Sequence, residues 1–163
     1  MKWLLTVLLG VGLFGGHGVV AQSKSRSLQG VWQVVELTTT GPAARTMAIP
    51  EPRPNLTIIT ARHYSRIQVE AETRPVLADV TKASADELRA AWGPFSGEAG
   101  TYVIEGNLIT MRPIVAKNPA AMAPKAFSRW SYKLEGDTLW VIAQTNQDGP
   151  IVNPVTVKAV RVE

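Results

Sequence analysis

Gly30-Val31-Trp32 opens a strand-like run across residues 28–37, and Tyr64-Ser65-Arg66 and two Gly-centred hairpins follow it. In the first hairpin, residues 100–105 and 108–112 flank Gly106-Asn107. In the second, residues 127–134 and 138–143 flank Glu135-Gly136-Asp137. Gly and Asn tolerate the positive φ that tight turns require. Residues 55–60 and 64–70 read as strands joined at Ala61-Arg62-His63, and residues 155–162 read as the last strand. Gly41, Pro42, Pro50, Pro52 and Pro54 make 38–54 a long loop. Pro75 discourages a central strand in 72–82, and the Ala/Pro/Met-rich stretch 113–124 reads as another loop. Strands at hairpin spacing favour an antiparallel barrel or sandwich over a βαβ fold.

One helix interrupts this pattern, over 84–92. Ser84 can cap it, Glu87 completes a capping box, and Gly93-Pro94 stops it. Leu88, Ala91 and Trp92 share its apolar face, and Trp92 reads as a packing residue. The period of two assigns the strand faces. Val155, Val157, Ala159 and Arg161 share one face of the last strand. Trp130, Tyr132 and Leu134 share another, as do Tyr102 and Ile104. Leu56 and Ile58 are expected inside, with Ile59 opposite.

Composition narrows the class. Lys2 precedes an apolar run over 3–14, and Val19-Val20-Ala21 suits cleavage before Gln22. Residues 1–21 therefore read as a signal peptide, too short for a comfortable membrane span. An uncleaved anchor is the alternative. With no Cys after the run, a lipid-anchored lipoprotein is excluded. Residues 22–163, 142 in all, suit one domain exported to the periplasm or secreted. Loss of Lys2 leaves 16 basic against 13 acidic side chains, scattered without a basic stripe, so no nucleic-acid partner is expected. The absence of cysteine excludes thiol chemistry and thiolate metal sites. His63 is the one histidine left after processing, and it reads as an exposed turn residue. No metal site and no cofactor are expected.

Several stretches carry a resemblance. Gly30-Val31-Trp32, Tyr64-Ser65-Arg66-Ile67-Gln68 reaching Arg74-Pro75, the run from Phe95 to Tyr102, Asn118-Pro119, and Leu134-Glu135-Gly136-Asp137-Thr138-Leu139 occur in an ordered series. Over nearly the whole of residues 30–162 this series resembles the bacterial lipocalin-like domain family, of the calycin type. Thr110 is followed here by Met111 and Arg112, where that family often carries histidines. The resemblance implies a mainly β protein, an antiparallel lipocalin-like barrel of about eight strands with one short helix. It also implies that Trp32 closes one end with Arg161 across it, a structural pair held by cation–π attraction.

A barrel interior can bind a small hydrophobic or amphipathic molecule. Glu36, Tyr64, Arg66, Phe95, Tyr102, Met111, Trp130 and Tyr132 are the candidate ligand-binding residues. Glu36 shares a face with Trp32 and Val34 under strict alternation. A Glu36–Arg66 pair would then be a structural ion pair or an anchor for a polar head. An empty apolar void of ~300 Å³ would cost about 7 kcal/mol, comparable with a whole domain's stability. The interior is therefore filled by its own aromatics, or its pocket is modest, hydrated or occupied. A pure binding protein is the leading expectation. A cyclase- or isomerase-type barrel using Glu36, Tyr64, Arg66 and Tyr132 is the enzyme alternative, and a filled barrel acting through its surface is the third.

Overall fold

The computed structural model describes residues 27–40, 45–48 and 53–163. The expected signal segment lies outside them, as does part of the loop expected over 38–54. Ten strands and one α-helix occur among the described residues. They run β1 (Gly30–Thr39), β2 (Arg45–Ala48), β3 (Asn55–Ile59), β4 (His63–Val69), α1 (Ala85–Trp92), β5 (Phe95–Glu105), β6 (Leu108–Ala116), β7 (Ser128–Glu135), β8 (Thr138–Asn146), β9 (Gly149–Pro150) and β10 (Val155–Arg161). A single 3-10 turn, Pro119–Met122, precedes β7.

The ladder runs β10-β1-β3-β4-β5-β6-β7-β8, and β8 pairs back onto β10. Every pairing is antiparallel. The protein is thus a mainly β, closed eight-stranded antiparallel barrel carrying one helix. Closure removes the unpaired edges that an open sheet would expose. The short β2 and β9 pair outside the ring, on β1 and β8. Among the described residues no helix is long and apolar enough to cross a membrane.

The two ends differ. At one, Gly106 (φ 63°) and Gly136 (φ 57°) sit in tight turns, in the left-handed region that glycine enters without steric cost. The 60–63 turn is held by hydrogen bonds between Thr60 and His63. The other end carries the long connections, including the 70–94 excursion that bears α1. Ser84 caps α1 reciprocally with Glu87, as its sequence predicts.

Paired residues point to the same side of the barrel. Trp32, Ile59, Tyr64, Ile109, Met111, Leu139 and Ala159 form the buried core with Leu28, and Val34, Tyr102, Trp130, Tyr132, Leu134 and Val141 pack around it. The inward face of β3 is the reverse of the expected one: Ile59 is buried and Ile58 exposed. Ile59 stands opposite both Gly30 and Tyr64, and this pairing outweighs the apolar character of Leu56 and Ile58. Strand β2 occupies part of the expected 38–54 loop, drawn in by pairing with the far half of β1.

Among the described strands three β-bulges shift the alternation, at Val35 in β1, at Ile114 in β6 opposite Ala99/Gly100, and at Gln144 in β8 opposite Arg129/Trp130. The second lets β6 continue to Ala116, through a stretch expected to be loop. Pro113 is tolerated there because pairing of β6 with β7 stops at Met111, so its missing N–H costs no bond on that side. Gly100 is required at this bulge: a Cβ there would lie 2.1 Å from the Arg112 carbonyl oxygen.

Candidate functional site

The closed end is built by Trp32 and Arg161. Trp32 is 1% exposed and its indole N–H donates to the Leu28 carbonyl at 2.9 Å. The Arg161 guanidinium lies over the ring, 4.2 Å from its centroid. It also donates to the carbonyls of Gln29 (2.5 Å) and Ser27 (2.7 Å), and its Nε lies 3.2 Å from Asp137 Oδ1. Among the described residues these contacts pack the closed end.

Moving up the barrel, register places Tyr64 opposite Gly100 and Arg66 opposite Glu98, all on the inner face. Glu98 Oε1 accepts from the Tyr64 hydroxyl at 3.0 Å and lies 3.1 Å from Arg66 Nε. The guanidinium of Arg66 stands 5.8 Å from the centroid of the Trp130 ring. Burial raises the Tyr64 phenol well above its ordinary value of 10.0; the neighbouring Glu98 charge and hydrogen bond add to that, and Arg66 opposes it. Tyr64 is therefore a hydrogen-bond donor that keeps its proton at physiological pH. The Trp130 indole nitrogen is buried without a protein hydrogen-bond partner.

Above this floor lies a cavity of about 200 Å³. Arg66 and Glu98 line it with Ser128, Asn146, Asn118 and Gln147, and its apolar wall is Pro113, Ala120, Ala121, Ala126 and Phe127. The wall is held locally. Asn118 accepts from the Ala120 N–H and caps the 3-10 turn, Ala126 N–H donates to the Ala123 carbonyl, and Arg112 stands 5.7 Å from the Phe127 ring centroid. Lys117, beside this turn, donates its ammonium to the carbonyls of Trp92, Gly93 (2.9 Å) and Phe95 (2.6 Å). It ties the end of α1 to the start of β5.

The candidate residues divide. Of the candidates Arg66 lines the cavity, whereas Tyr64 and Trp130 belong to the packing beneath it and touch the Arg66–Glu98 pair from below. Met111 belongs to the packed core. Tyr102 and Tyr132 serve the hairpin end, where their hydroxyls donate to the carbonyls of Thr60 (2.6 Å) and Gly106 (3.4 Å). Glu36 does not share the face of Trp32 and Val34. The bulge at Val35 turns it outward, opposite Lys158, and Lys158 in turn faces Trp140 on the outer surface. A Glu36–Arg66 pair is accordingly not made; Arg66 pairs with Glu98. Phe95 also lies outside the barrel. It stands opposite Val69, out of phase with Ser96 and Glu98, and lines an outer groove of about 480 Å³ with Arg74, Leu77, Val80, Ala91 and Trp92. Trp92 is 54% exposed, not packed as its helical phase suggests.

Glu98 went unread in the sequence. Its signal was the run Phe95-Ser96-Gly97-Glu98, which continues the alternation of Gly100 and Tyr102 back toward the mouth. Among the described residues, no three His, Asp or Glu side chains gather to hold a metal ion.

No family model and no curated protein sequence matches the chain. Among solved structures, an uncharacterized protein from Bacteroides eggerthii is similar over 83% of this chain and 99% of that chain, at 10% identity and a TM-score of 0.45.

Proposed function

We propose that this chain is an exported, lipocalin-like barrel protein that binds one small amphipathic molecule at the open end of its barrel. The observation that carries the reading is the composition of the mouth cavity: the Arg66–Glu98 pair forms its floor, and Pro113, Ala121, Ala126 and Phe127 form an apolar wall. The lining is more polar than apolar, and polar side chains converging beside one small apolar wall suit a ligand with a polar head and a small apolar body. The space is below the 300–1,000 Å³ usual for drug-sized ligands, which favours a ligand of about one ring. The lower barrel is filled by Trp32, Tyr64, Ile109, Met111 and Leu139, so the ligand sits above the core and not within it. The apolar run over 3–14 and the small residues before Gln22 support export through a signal peptide over 1–21.

The test is to purify the protein from its native host and analyse its solvent extract by mass spectrometry. A small amphipathic molecule should co-purify in stoichiometric amount. On re-addition it should change tryptophan emission in the native chain, and the response should be lost in Trp130→Phe. An extract with no stoichiometric compound, together with emission blind to a panel of amphiphiles, would return the protein to a filled barrel acting through its surface.

A further inference from the structure

The chemistry at the cavity floor restricts the ligand more closely than size does. Glu98 Oε1 is engaged twice, by Tyr64 and by Arg66 Nε. Among the described residues, Glu98 Oε2 and the two Nη groups of Arg66 have no protein hydrogen-bond partner, although both residues line the cavity. The floor therefore offers one carboxylate acceptor and a guanidinium donor edge side by side. Among the described residues, Arg66 and Glu98 are also the only charged ones lining the space, so their charges balance at its floor. A lone carboxylate placed on Arg66 would meet Glu98, and a lone cation placed on Glu98 would meet Arg66. Each leaves a partly desolvated like charge facing it. A purely apolar group would strip water from both charges and return no hydrogen bond.

We infer that the ligand presents a hydrogen-bond acceptor and a hydrogen-bond donor on one carbon, as a neutral carboxamide does, with the acceptor on Arg66 and the donor on Glu98. This rests on the mouth cavity being the binding site. The apolar part of the ligand then lies against Ala126 and Phe127, and Arg66 carries the contact onward to the face of Trp130.

Four probes that share one ring separate the possibilities: benzamide, benzoate, benzamidinium and toluene. Each is titrated into the full chain while the backbone amides of Ala126, Ser128 and Asn146 are followed by NMR, with Leu139 as a core control. Benzamide should bind at least about tenfold more tightly than the other three, the scale of one hydrogen bond to a charged group. Glu98→Gln keeps the shape and an acceptor for Tyr64 but leaves Arg66 the only charge, so the preference should move to benzoate. Arg66→Met should move it to benzamidinium, and it decides the matter if Glu98→Gln does not fold. Binding of benzoate, benzamidinium or toluene as tightly as benzamide, or preferences unmoved in a folded variant, overturns the carboxamide assignment while leaving the site in place. If none of the four shifts those three amides, the mouth cavity fails as a site and the assignment fails with it.

Discussion

Arg161 and Trp32 face each other in the register of the last and first barrel strands, with the guanidinium 4.2 Å from the indole centroid. Three backbone elements converge on this contact: the chain entering β1 through Ser27 and Gln29, the β7–β8 turn through Asp137, and the end of β10. Arg161→Ala removes the cation–π contact and strands two carbonyls at the closed end. The expected loss is about 2–4 kcal/mol, read from urea unfolding midpoints. Arg161→Lys should recover little, because one ammonium cannot span those partners and the ring together.

Gly30 makes room for that arginine. Its φ is 142°, and a Cβ would lie 2.2 Å from Arg161 Nη1 and 2.6 Å from the Glu163 carbonyl oxygen. Gly30→Ala should cost about 2–3 kcal/mol. A double variant Gly30→Ala with Arg161→Ala should lose clearly less than the sum, because the clash with the guanidinium is then gone while the backbone strain stays. Full additivity in a double-mutant cycle would show the two positions to be independent.

Tyr64 makes stability sensitive to alkali. Its folded pKa lies above its unfolded value of 10.0, so the unfolded chain releases this proton first. The contribution is complete below about pH 10 and is lost as the pH rises through that value toward the folded one. Tyr102, raised by partial burial, adds a smaller slope of the same sign. Unfolding free energy measured from neutral pH to about pH 11 should fall in the native chain and fall less steeply in Tyr64→Phe. An identical alkaline slope in both proteins would remove Tyr64 as the source.

Burial separates two large apolar residues. Ile109, 2% exposed in the barrel centre, should cost about 2–5 kcal/mol as Ile109→Ala. Trp92, 54% exposed at the end of α1, should cost less than about 1 kcal/mol as Trp92→Ala despite its greater size. Thermal melts of the two variants check the order, and the reverse order would mean that Trp92 is covered in solution.

The cap of α1 predicts a local effect. Ser84 accepts from the Glu87 N–H, and the Glu87 carboxylate accepts from the Ser84 backbone N–H and hydroxyl. Those bonds hold the Glu87 carboxyl below its usual range, so the stabilisation is present above that range and fades as acid protonates the group. Ser84→Ala should speed amide hydrogen exchange in Ala85–Trp92 while leaving the barrel strands protected. Unchanged exchange there would count against the cap.

The hairpins over 100–112 and 127–143 were legible because their turns are carried by Gly106 and Gly136, whose positive φ is a local property. The inward phases of Trp130, Tyr132, Leu134 and of Val157, Ala159, Arg161 were legible because each run keeps its alternation intact. Glu36 was not. One extra residue at Val35 reverses everything beyond it, and no residue type in Val34-Val35-Glu36 marks the bulge. Ile58 and Ile59 are equally apolar, so only the partners across the ladder select between them. Tyr64 and Arg66 stood out as one strand face, but their partner Glu98 lies 32 residues beyond Arg66 and is joined to it solely by the β4–β5 register.

By itself, the sequence determined the class of architecture: apolar alternation, glycine turns and a capping box act over a few residues, so they are written where they act. The tertiary structure alone decided closure of the ring through β8 and β10, the three bulges, and the union of Tyr64, Arg66, Glu98 and Trp130 beneath one cavity. Those are set by which strands pair and at what offset. A one-residue slip moves a side chain from the interior to solvent, and the energy that forbids the slip is summed over the whole barrel.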